Sequence, residues 1–143
     1  MGKVKTALIS VYDKTGIVDF CRELHKKHIE IISSGGTSKA LKEAGIPVIE
    51  VSKYTGSPEM LDGRLKTLHP KIHGGLLAVR KDKKHIRELK AQKIKPIDLL
   101  VVNLYPFEQK LYERASHKDL IENIDIGGPA LIRAAAKNYE DVA

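Results

Sequence analysis

Four small residues, Ser34-Gly35-Gly36-Thr37, join a predicted strand to a predicted helix. Glycines in that place let backbone amides approach an anion closely, and the helix start adds about half a positive charge. The hydroxyls of Ser34 and Thr37 and the ammonium of Lys14 complete a candidate phosphate site. It is not a Walker loop, because no Gly-Lys-Ser/Thr follows. An ordinary tight turn with a helix cap explains the same residues equally well.

A second group of residues with catalytic potential lies near the end of the chain, where Ile124-Asp125-Ile126-Gly127-Gly128 precedes the last predicted helix. Asp125 is a candidate catalytic carboxylate, and the amides that follow it can stabilise a developing negative charge. Helix capping accounts for the same residues, since acidic side chains favour helix starts. Lys137 ends that helix, where the dipole favours a lysine in any case, so spacing alone does not pair it with Asp125.

The segment from Tyr54 to Val79 is long for a connection and is rich in glycine, proline, histidine and charge. Long loops inside compact domains are usually functional or disordered. The close spacing of Arg64, Lys66 and Thr67 favours a function here. We also expect a short helix to begin at Ser57-Pro58.

Two histidines in this segment, His69 and His73, have the spacing of a helical metal site. Pro70 disfavours a helix across both of them, and no cysteine or acidic cluster stands nearby. The sequence therefore predicts no metal site. Cys21 falls on the apolar face of a predicted helix, which indicates a core residue rather than a nucleophile.

Apolar runs alternate with amphipathic stretches, which predicts an α/β domain with a parallel sheet. Strands are predicted at residues 6–11, 29–32, 48–51 and 98–104. Helices are predicted from residue 17, at 37–44, at 116–123 and at 128–137, and a basic helix over residues 80–95 ends at Lys95-Pro96. Gly45 suits the position after the second helix, and Pro129 the first position of the last. The first helix should bury one apolar face, formed by Ile17, Val18, Phe20, Cys21 and Leu24.

Open parallel sheets bind ligands beyond the carboxyl ends of their strands. Polar and turn-forming residues follow three of the predicted strands. They are Ser10 and Lys14 after the first, Ser34 after the second, and Asn103 and Tyr105 after the strand at 98–104. The sequence therefore predicts that these side chains meet at one edge of the sheet.

Length and composition narrow the class of protein. The chain has 143 residues, of which 42% are hydrophobic and 30% charged, the balance of one soluble globular domain. No apolar run approaches the roughly 20 residues of a bilayer span, and no signal-peptide pattern precedes the first strand. A single cysteine excludes an internal disulfide. These features predict a cytoplasmic protein with no membrane partner.

The net charge of +7 comes largely from residues 80–95, where eight lysines and arginines are gathered. A solvated helix face is the simpler interpretation, and a surface that attracts a phosphorylated substrate is the alternative. Nucleic acid is not expected as a partner, because no aromatic residue is interleaved with these charges and no zinc-finger or RRM-type motif is present.

Taken together, the motifs resemble one known family. They lie at residues 10–16 (SVYDKTG), 34–37 (SGGT), 54–70 (YTGSPEMLDGRLKTLHP), 73–75 (HGG), 103–107 (NLYPF), 124–129 (IDIGGP) and 134–138 (AAAKN). They are similar, in order and over nearly the whole chain, to the N-terminal cyclohydrolase domain of the bifunctional AICAR transformylase/IMP cyclohydrolase family. The blocks Gly-Arg-x-Lys-Thr-Leu-His-Pro and Ile-Asp-Ile-Gly-Gly are specific to that family.

The resemblance implies a methylglyoxal-synthase-like three-layer sandwich, with a central, mainly parallel sheet between helices. It implies ring closure of the formylated aminoimidazole carboxamide ribonucleotide (FAICAR) to inosine monophosphate (IMP), with loss of water. It implies no cofactor or metal, a homodimer, and a transformylase domain in the full-length protein. Residues 1–143 would then form a cyclohydrolase domain that is truncated at its C-terminus.

The resemblance also implies which residues bind the substrate. Those expected at its phosphate are Ser10, Lys14, Ser34, Gly35, Gly36 and Thr37. Those expected around its base are Arg64, Lys66, Thr67, Asn103, Tyr105, Asp125, Ile126 and Gly127, with Lys137 at the reacting end.

Four of these residues have expected catalytic roles. Asp125 accepts the carboxamide proton, and Lys137 orients Asp125 or relays protons with it. Lys66 and a backbone amide just after Asp125 stabilise the formyl oxygen. Tyr105 assists by hydrogen bonding.

Two positions depart from the family pattern: Tyr12 stands where serine is expected, and Tyr139 where histidine is common. Two other functions fit the same fold. One is methylglyoxal synthase, which the presence of the 64–67 block disfavours. The other is a regulatory domain that senses a phosphorylated metabolite, which needs the phosphate site but not Asp125, Lys66 and Lys137.

Overall fold

The computed structural model describes residues 3–143, and within them four strands and eight helices. The strands are β1 (Thr6–Ser10), β2 (Glu30–Ser33), β3 (Ile49–Glu50) and β4 (Leu99–Val102). The helices are α1 (Ile17–Lys26), α2 (Gly35–Glu43), α3 (Val51–Thr55), α4 (Pro70–Leu77), α5 (Lys83–Ala91), α6 (Phe107–Tyr112), α7 (His117–Glu122) and α8 (Gly127–Lys137). All strands run parallel in the order β3-β2-β1-β4, which confirms the predicted α/β class.

The central strand β1 is buried on both faces, and its residues alternate between two cores. On one face Ala7 packs with Cys21 of α1. On the other, Leu8 packs with Ile72 of α4 and Leu131 of α8. Burial of each large apolar side chain contributes about 1.5–3 kcal/mol. Helices thus cover both faces of the sheet, and the three-layer sandwich that the resemblance implied is confirmed.

Helix α1 buries a narrower face than its sequence predicts. Ile17, Cys21 and Leu24 are buried, and burial raises the pKa of the Cys21 thiol to about 11. Cys21 is therefore a core residue, as predicted. Phe20, at the edge of that face, is 44% exposed, so its predicted burial is wrong.

The long segment after β2 differs most from the prediction. The predicted strand at 48–51 is only two residues long, because Val51 already begins α3. No helix begins at Ser57-Pro58. Instead Met60 and Leu65 form an antiparallel bridge that closes a turn. Three successive residues of that turn have positive φ, a conformation that no right-handed helix contains; they are Leu61, Asp62 and Gly63.

Helix α2 begins two residues earlier than predicted, at Gly35. Gly45 follows its end with φ +72°, as predicted. The Ile46 N–H donates to the Leu41 carbonyl oxygen at 3.0 Å, and the Gly45 N–H to that of Lys42 at 2.9 Å. This pair of bonds is the Schellman motif, which satisfies the last carbonyls of the helix.

The C-terminal helices follow the predicted caps with small shifts. Ser116 Oγ accepts a hydrogen bond from the Asp119 N–H at 3.1 Å, which confirms the predicted start of α7. Helix α8 begins at Gly127, so Pro129 is its third residue rather than its first. Helix α6 was not predicted, and neither α6 nor α7 buries a single residue.

The basic segment lies at the amino ends of the strands. Helix α5 covers only Lys83–Ala91, and Lys93, with φ +53°, lies beyond its end. Arg80 lies 3.8 Å from Asp98, next to the start of β4, and Lys95 pairs with Glu30 at the start of β2 at 2.7 Å. No helix within residues 3–143 is long and apolar enough to cross a membrane.

Candidate functional site

A cleft of about 550 Å³ lies beyond the carboxyl ends of β1, β2 and β4, within the usual size range of ligand pockets. Loops from several parts of the sequence meet there, as predicted. The expected site residues that line it are Ser10, Lys14, Ser34, Gly35, Gly36, Thr37, Arg64, Lys66, Thr67, Asn103, Tyr105, Asp125, Ile126 and Gly127. None of the eight basic residues of the 80–95 segment lines it, so that segment is not part of this cleft.

At one end of the cleft, helix α2 presents free backbone donors. Its first hydrogen bond runs from the Ser38 N–H to the Ser34 carbonyl oxygen at 3.3 Å. The amides of Gly35, Gly36 and Thr37 therefore have no partner within the helix. Ser34 occupies the cap position in an extended conformation, but its side chain makes no capping bond. Its hydroxyl is available to a ligand, and the arrangement suits an anion.

Thr37 has a structural role that its sequence position did not reveal. Its side chain is buried, with 3% exposure. Its Oγ1 donates to the Val11 carbonyl oxygen at 2.9 Å and accepts from the Val11 N–H at 3.1 Å. A hydroxyl has one proton to donate. The expectation that the Thr37 hydroxyl binds a phosphate is therefore wrong, and only its backbone amide faces that task.

Two lysines approach the glycines of α2. The Lys14 ammonium donates to the Tyr12 carbonyl oxygen at 2.9 Å, and its Cε would lie 3.3 Å from a Cβ at Gly36. The Lys66 ammonium would lie 3.2 Å from a Cβ at Gly35. Both positive charges thus lie beside the free amides.

Lys66 is held from two sides. A Cβ at Gly63 would lie 2.7 Å from Lys66 Cε, so Gly63 leaves the room that this side chain occupies. The Lys66 ammonium lies 3.7 Å from a carboxylate oxygen of Glu59. In this structure the Lys66 side chain therefore lies next to Gly35 at the start of α2.

Asp125 lies at the start of α8, and both of its carboxylate oxygens are engaged. Oδ1 accepts from the Gly128 N–H at 2.8 Å, and Oδ2 accepts from the Tyr105 N–H at 3.2 Å. Asp125 thus caps the start of α8, as the capping interpretation predicts. Each oxygen keeps a lone pair, and Asp125 lines the cleft, so its carboxylate can still accept a hydrogen bond or a proton from a ligand.

Asn103 fixes the loop that follows β1. Its Oδ1 accepts from the backbone N–H groups of Tyr12 at 2.6 Å and Asp13 at 3.1 Å. Its Nδ2 donates to the Asp13 carbonyl oxygen at 2.9 Å. Most of its hydrogen-bonding capacity is used within the protein, which makes Asn103 a positioning residue for that loop.

Arg64 does not stand free in the cleft. Its guanidinium is paired with both carboxylate oxygens of Glu122 on α7, with Nε 3.2 Å from Oε2. The hydrogen bond from Arg64 lowers the pKa of Glu122 below its usual range. The pair joins the Met60–Leu65 turn to α7 across one wall of the cleft.

The two histidines have separate local roles. His69 is the cap residue of α4, and its Nδ1 accepts from the Lys71 N–H at 3.1 Å. Helix α4 begins at Pro70, so the prediction that no helix spans both histidines is confirmed. Among residues 3–143 there is no group of three side chains of the metal-binding types.

Residues 16–130 match the sequence profile of the MGS-like domain. The chain belongs to that family.

Three relatives of this MGS-like domain carry the same name. The chain is 60% identical over 141 residues to the bifunctional purine biosynthesis protein PurH of Bradyrhizobium diazoefficiens. It is 62% identical over 139 residues to PurH of Rhodospirillum rubrum. PurH of Acetivibrio thermocellus is 59% identical over 140 residues. These matches cover 97–99% of the chain but only 26–27% of each relative. The chain thus spans about a quarter of their length.

A solved structure shares the fold of the MGS-like domain. The crystal structure of ForH has a TM-score of 0.79 and 34% sequence identity, and the match covers 99% of this chain and 72% of that one. The fold that the resemblance implied therefore agrees with an experimental structure.

Lys137 is the one expected site residue that does not line the cleft of the MGS-like domain. It is the last residue of α8, whose first residue, Gly127, is at the cleft. Eleven helical residues rise about 15 Å. The chain after α8 reaches the opposite edge of the sheet, where Ala143 pairs with Asp98 and Leu100. Lys137 is therefore outside the cleft lining in this structure, and its role beside Asp125 stays a prediction.

The cleft also contains residues that sequence reasoning missed. Glu122 holds Arg64, and Tyr12 packs against Tyr105 with ring centroids 5.7 Å apart and planes at 69°. Glu59 does not line the cleft itself, but its carboxylate lies 3.7 Å from the ammonium of Lys66, which does. The available signal for Glu59 and Glu122 was that an acidic side chain could pair with an expected basic residue, Lys66 or Arg64. Their positions in the sequence did not single them out.

Proposed function

We propose that this domain catalyses the IMP cyclohydrolase reaction, the closure of FAICAR to IMP with loss of water. The observation that carries the proposal is one cleft with two different ends. Free amides of α2 and two lysines line one part of it, and Asp125 at the start of α8 lines another. A nucleoside monophosphate has matching ends, an anionic phosphate and a reactive heterocycle. The purine biosynthesis name of the relatives supports the same class of substrate.

The phosphate is expected at the start of α2. An anion there can accept hydrogen bonds from the free amides of Gly35, Gly36 and Thr37, and the helix dipole favours negative charge. The hydroxyls of Ser10 and Ser34 line the same end. Lys14 adds a charge-assisted hydrogen bond, which contributes about 1.5–3 kcal/mol.

The reaction itself is intramolecular. The carboxamide nitrogen forms a bond to the formyl carbon and loses one proton. The formamido nitrogen loses a second proton as its bond to that carbon becomes a double bond, and the formyl oxygen takes up both protons and leaves as water. The main task of the protein is to hold both groups coplanar and close. Asp125 is proposed to accept the carboxamide proton through a free lone pair of its carboxylate.

The developing charge on the formyl oxygen needs a donor. The backbone amide of Gly127, at the first turn of α8, is proposed for that task, together with Ile126 and Thr67 in the same wall. Tyr105 is proposed to assist by hydrogen bonding. Lys66 is the second candidate donor, although it lies beside Gly35 here, and it must swing away from that glycine to act.

The wider context is also part of the proposal. The domain is proposed to act as a homodimer in the cytoplasm, next to a transformylase domain in the full-length protein. Light scattering at micromolar concentration tests the first point, because the chain alone has a mass of 15.9 kDa. A particle of that mass across the whole range would contradict a dimer of this chain.

The direct test mixes the 143-residue chain with FAICAR and follows IMP formation by ultraviolet absorbance. Asp125→Asn is expected to lower turnover by about 10²–10⁴-fold, while the affinity for IMP changes by less than about tenfold. Asp19→Asn, on the exposed side of α1, removes the same charge away from the cleft and is expected to change neither.

Lys66→Ala decides between the two roles of that residue. Loss of turnover without loss of affinity supports an oxyanion role, and loss of both in proportion supports a phosphate contact. Lys39→Ala, exposed on α2, is the matched control for charge. A wild-type chain that binds IMP but shows no turnover would replace the enzyme proposal with a metabolite-sensing domain.

A further inference from the structure

Two aromatic rings form a corner in the wall of the cleft. The centroids of Tyr12 and Tyr105 are 5.7 Å apart, and their planes meet at 69°. This edge-to-face contact is a preferred geometry for aromatic pairs. Both residues line the cleft, and they stay 45% and 41% exposed. The corner therefore leaves aromatic surface available to a ligand.

The backbone on both sides of the corner is fixed. The Tyr12 N–H donates to Asn103 Oδ1 at 2.6 Å, and the Tyr105 N–H donates to Asp125 Oδ2 at 3.2 Å. The two residues follow β1 and β4, which are neighbours in the sheet with Ser10 opposite Val102. The rings are thus brought together by the sheet itself before any ligand binds.

The corner lies between the two ends of the cleft. The Tyr12 carbonyl oxygen accepts from the Lys14 ammonium at 2.9 Å, next to the free amides of α2. Asp125 holds the backbone of Tyr105 from the other side. A ligand that contacts both α2 and Asp125 therefore lies close to the corner, and a flat ring parallel to one tyrosine meets the other at its edge.

We propose that Tyr12 determines specificity for a nucleotide over a plain sugar phosphate. The Tyr12 ring stacks on the planar heterocycle of the ligand, and Tyr105 holds the Tyr12 ring in place through their edge-to-face contact. This inference rests on the proposed function, since it takes the ligand to be a purine mononucleotide. It assigns a binding role to a residue that contributes neither charge nor catalytic chemistry.

The test measures the affinities of IMP and of ribose 5-phosphate for the 143-residue chain by calorimetry. The second compound keeps the sugar and phosphate but lacks the ring. Stacking of a base on an aromatic side chain is worth a roughly five- to hundredfold change in affinity. Tyr12→Ser is expected to weaken IMP binding by about tenfold and ribose 5-phosphate binding by less than about twofold.

Three further variants sharpen the result. Tyr12→Phe keeps the ring and is expected to bind IMP as the wild type does. Tyr12→Leu keeps the bulk without the aromatic face and is expected to lose IMP affinity as Tyr12→Ser does, which also serves if Tyr12→Ser does not fold. Tyr139→Ser changes a tyrosine that is 73% exposed and outside the cleft, and is expected to have no effect.

The outcomes separate this inference from the proposed function. Equal losses for both ligands in Tyr12→Ser, or wild-type IMP affinity in Tyr12→Leu, would overturn the specificity role and leave the proposed function standing. A wild-type chain that binds neither compound, or both equally well, would overturn the proposed function and this inference with it.

Discussion

Thr37 and Val11 are joined by two hydrogen bonds through a single hydroxyl, which ties the start of α2 to the residue that follows β1. Both groups of the Val11 backbone depend on this side chain, and Thr37 is buried. The bond pair therefore fixes the distance between two loops of the cleft.

Thr37→Val should lower the free energy of unfolding by about 1–3 kcal/mol, because it leaves the buried N–H and C=O of Val11 unpaired. Thr37→Ser keeps the hydroxyl and should lose much less. Urea denaturation of the two variants measures the difference. Equal stabilities would show that the hydrogen bonds to Val11 do not matter.

Gly63 and Gly45 offer a matched pair of substitutions. Both have positive φ, at +85° and +72°, so alanine at either should cost about 1–2 kcal/mol of stability. A Cβ at Gly45 meets nothing within 4 Å, whereas one at Gly63 meets Lys66 Cε at 2.7 Å.

Gly63→Ala should therefore displace Lys66 and weaken the binding of a phosphate-bearing ligand, by up to about tenfold for a partly lost charge-assisted contact. Gly45→Ala should bind the ligand as the wild type does. Calorimetry with IMP on both folded variants checks this, and the same affinity in both would contradict a contact of Lys66 with the ligand.

Arg64 should control the titration of Glu122. The pKa of Glu122 is lowered by its hydrogen bond to Arg64, so the pair stabilises the folded state above the unfolded pKa of about 4.3 and is lost as pH falls through the lower folded value. In Arg64→Ala the midpoint should rise toward 4.3. Carboxyl NMR measures it.

Glu113 is the internal reference for that titration. Its pKa is also lowered, by hydrogen bonds from Lys110 and Gln109, and it should keep its midpoint in Arg64→Ala. A Glu122 midpoint that does not move, while Glu113 stays constant, would show that the two side chains do not pair in solution.

Cys21 should be unreactive in the folded protein. Burial raises its thiol pKa to about 11, so at pH 8 about one molecule in a thousand holds the thiolate. A disulfide reagent should label it far more slowly than a small thiol, and at a normal rate in denaturant. Rapid labelling without denaturant would mean that α1 opens easily.

The periodic parts of the fold could be predicted from the sequence, because apolar spacing reports burial directly. β1, α1 and β4 were found in this way, and so was the meeting of the strand ends. The turn at 61–63 could not be predicted, since Leu61 and Asp62 adopt positive φ without being glycine. The bridge between Met60 and Leu65 closes that turn, and no local sequence pattern predicts the bridge.

The cleft could be predicted better than the roles of its residues. Sequence placed Thr37 at a helix start, but its partner Val11 is 26 positions away. Lys137 follows Asp125 by only 12 positions, yet the intervening helix carries it away from the cleft. Whether a hydroxyl or an ammonium is free to bind a ligand depends on its neighbours in the folded structure. The separation of residues in the sequence does not reveal those neighbours.

Helices α6 and α7 bury none of their residues, and they pack chiefly on each other. Local opening of a protein costs little free energy where few apolar contacts are lost. We therefore expect residues 107–122 to open at a lower free-energy cost than the sheet, after loss of the Arg64–Glu122 pair. Since Ile121 and Glu122 line the cleft, such opening would remove part of one wall while the free amides of α2 stay in place.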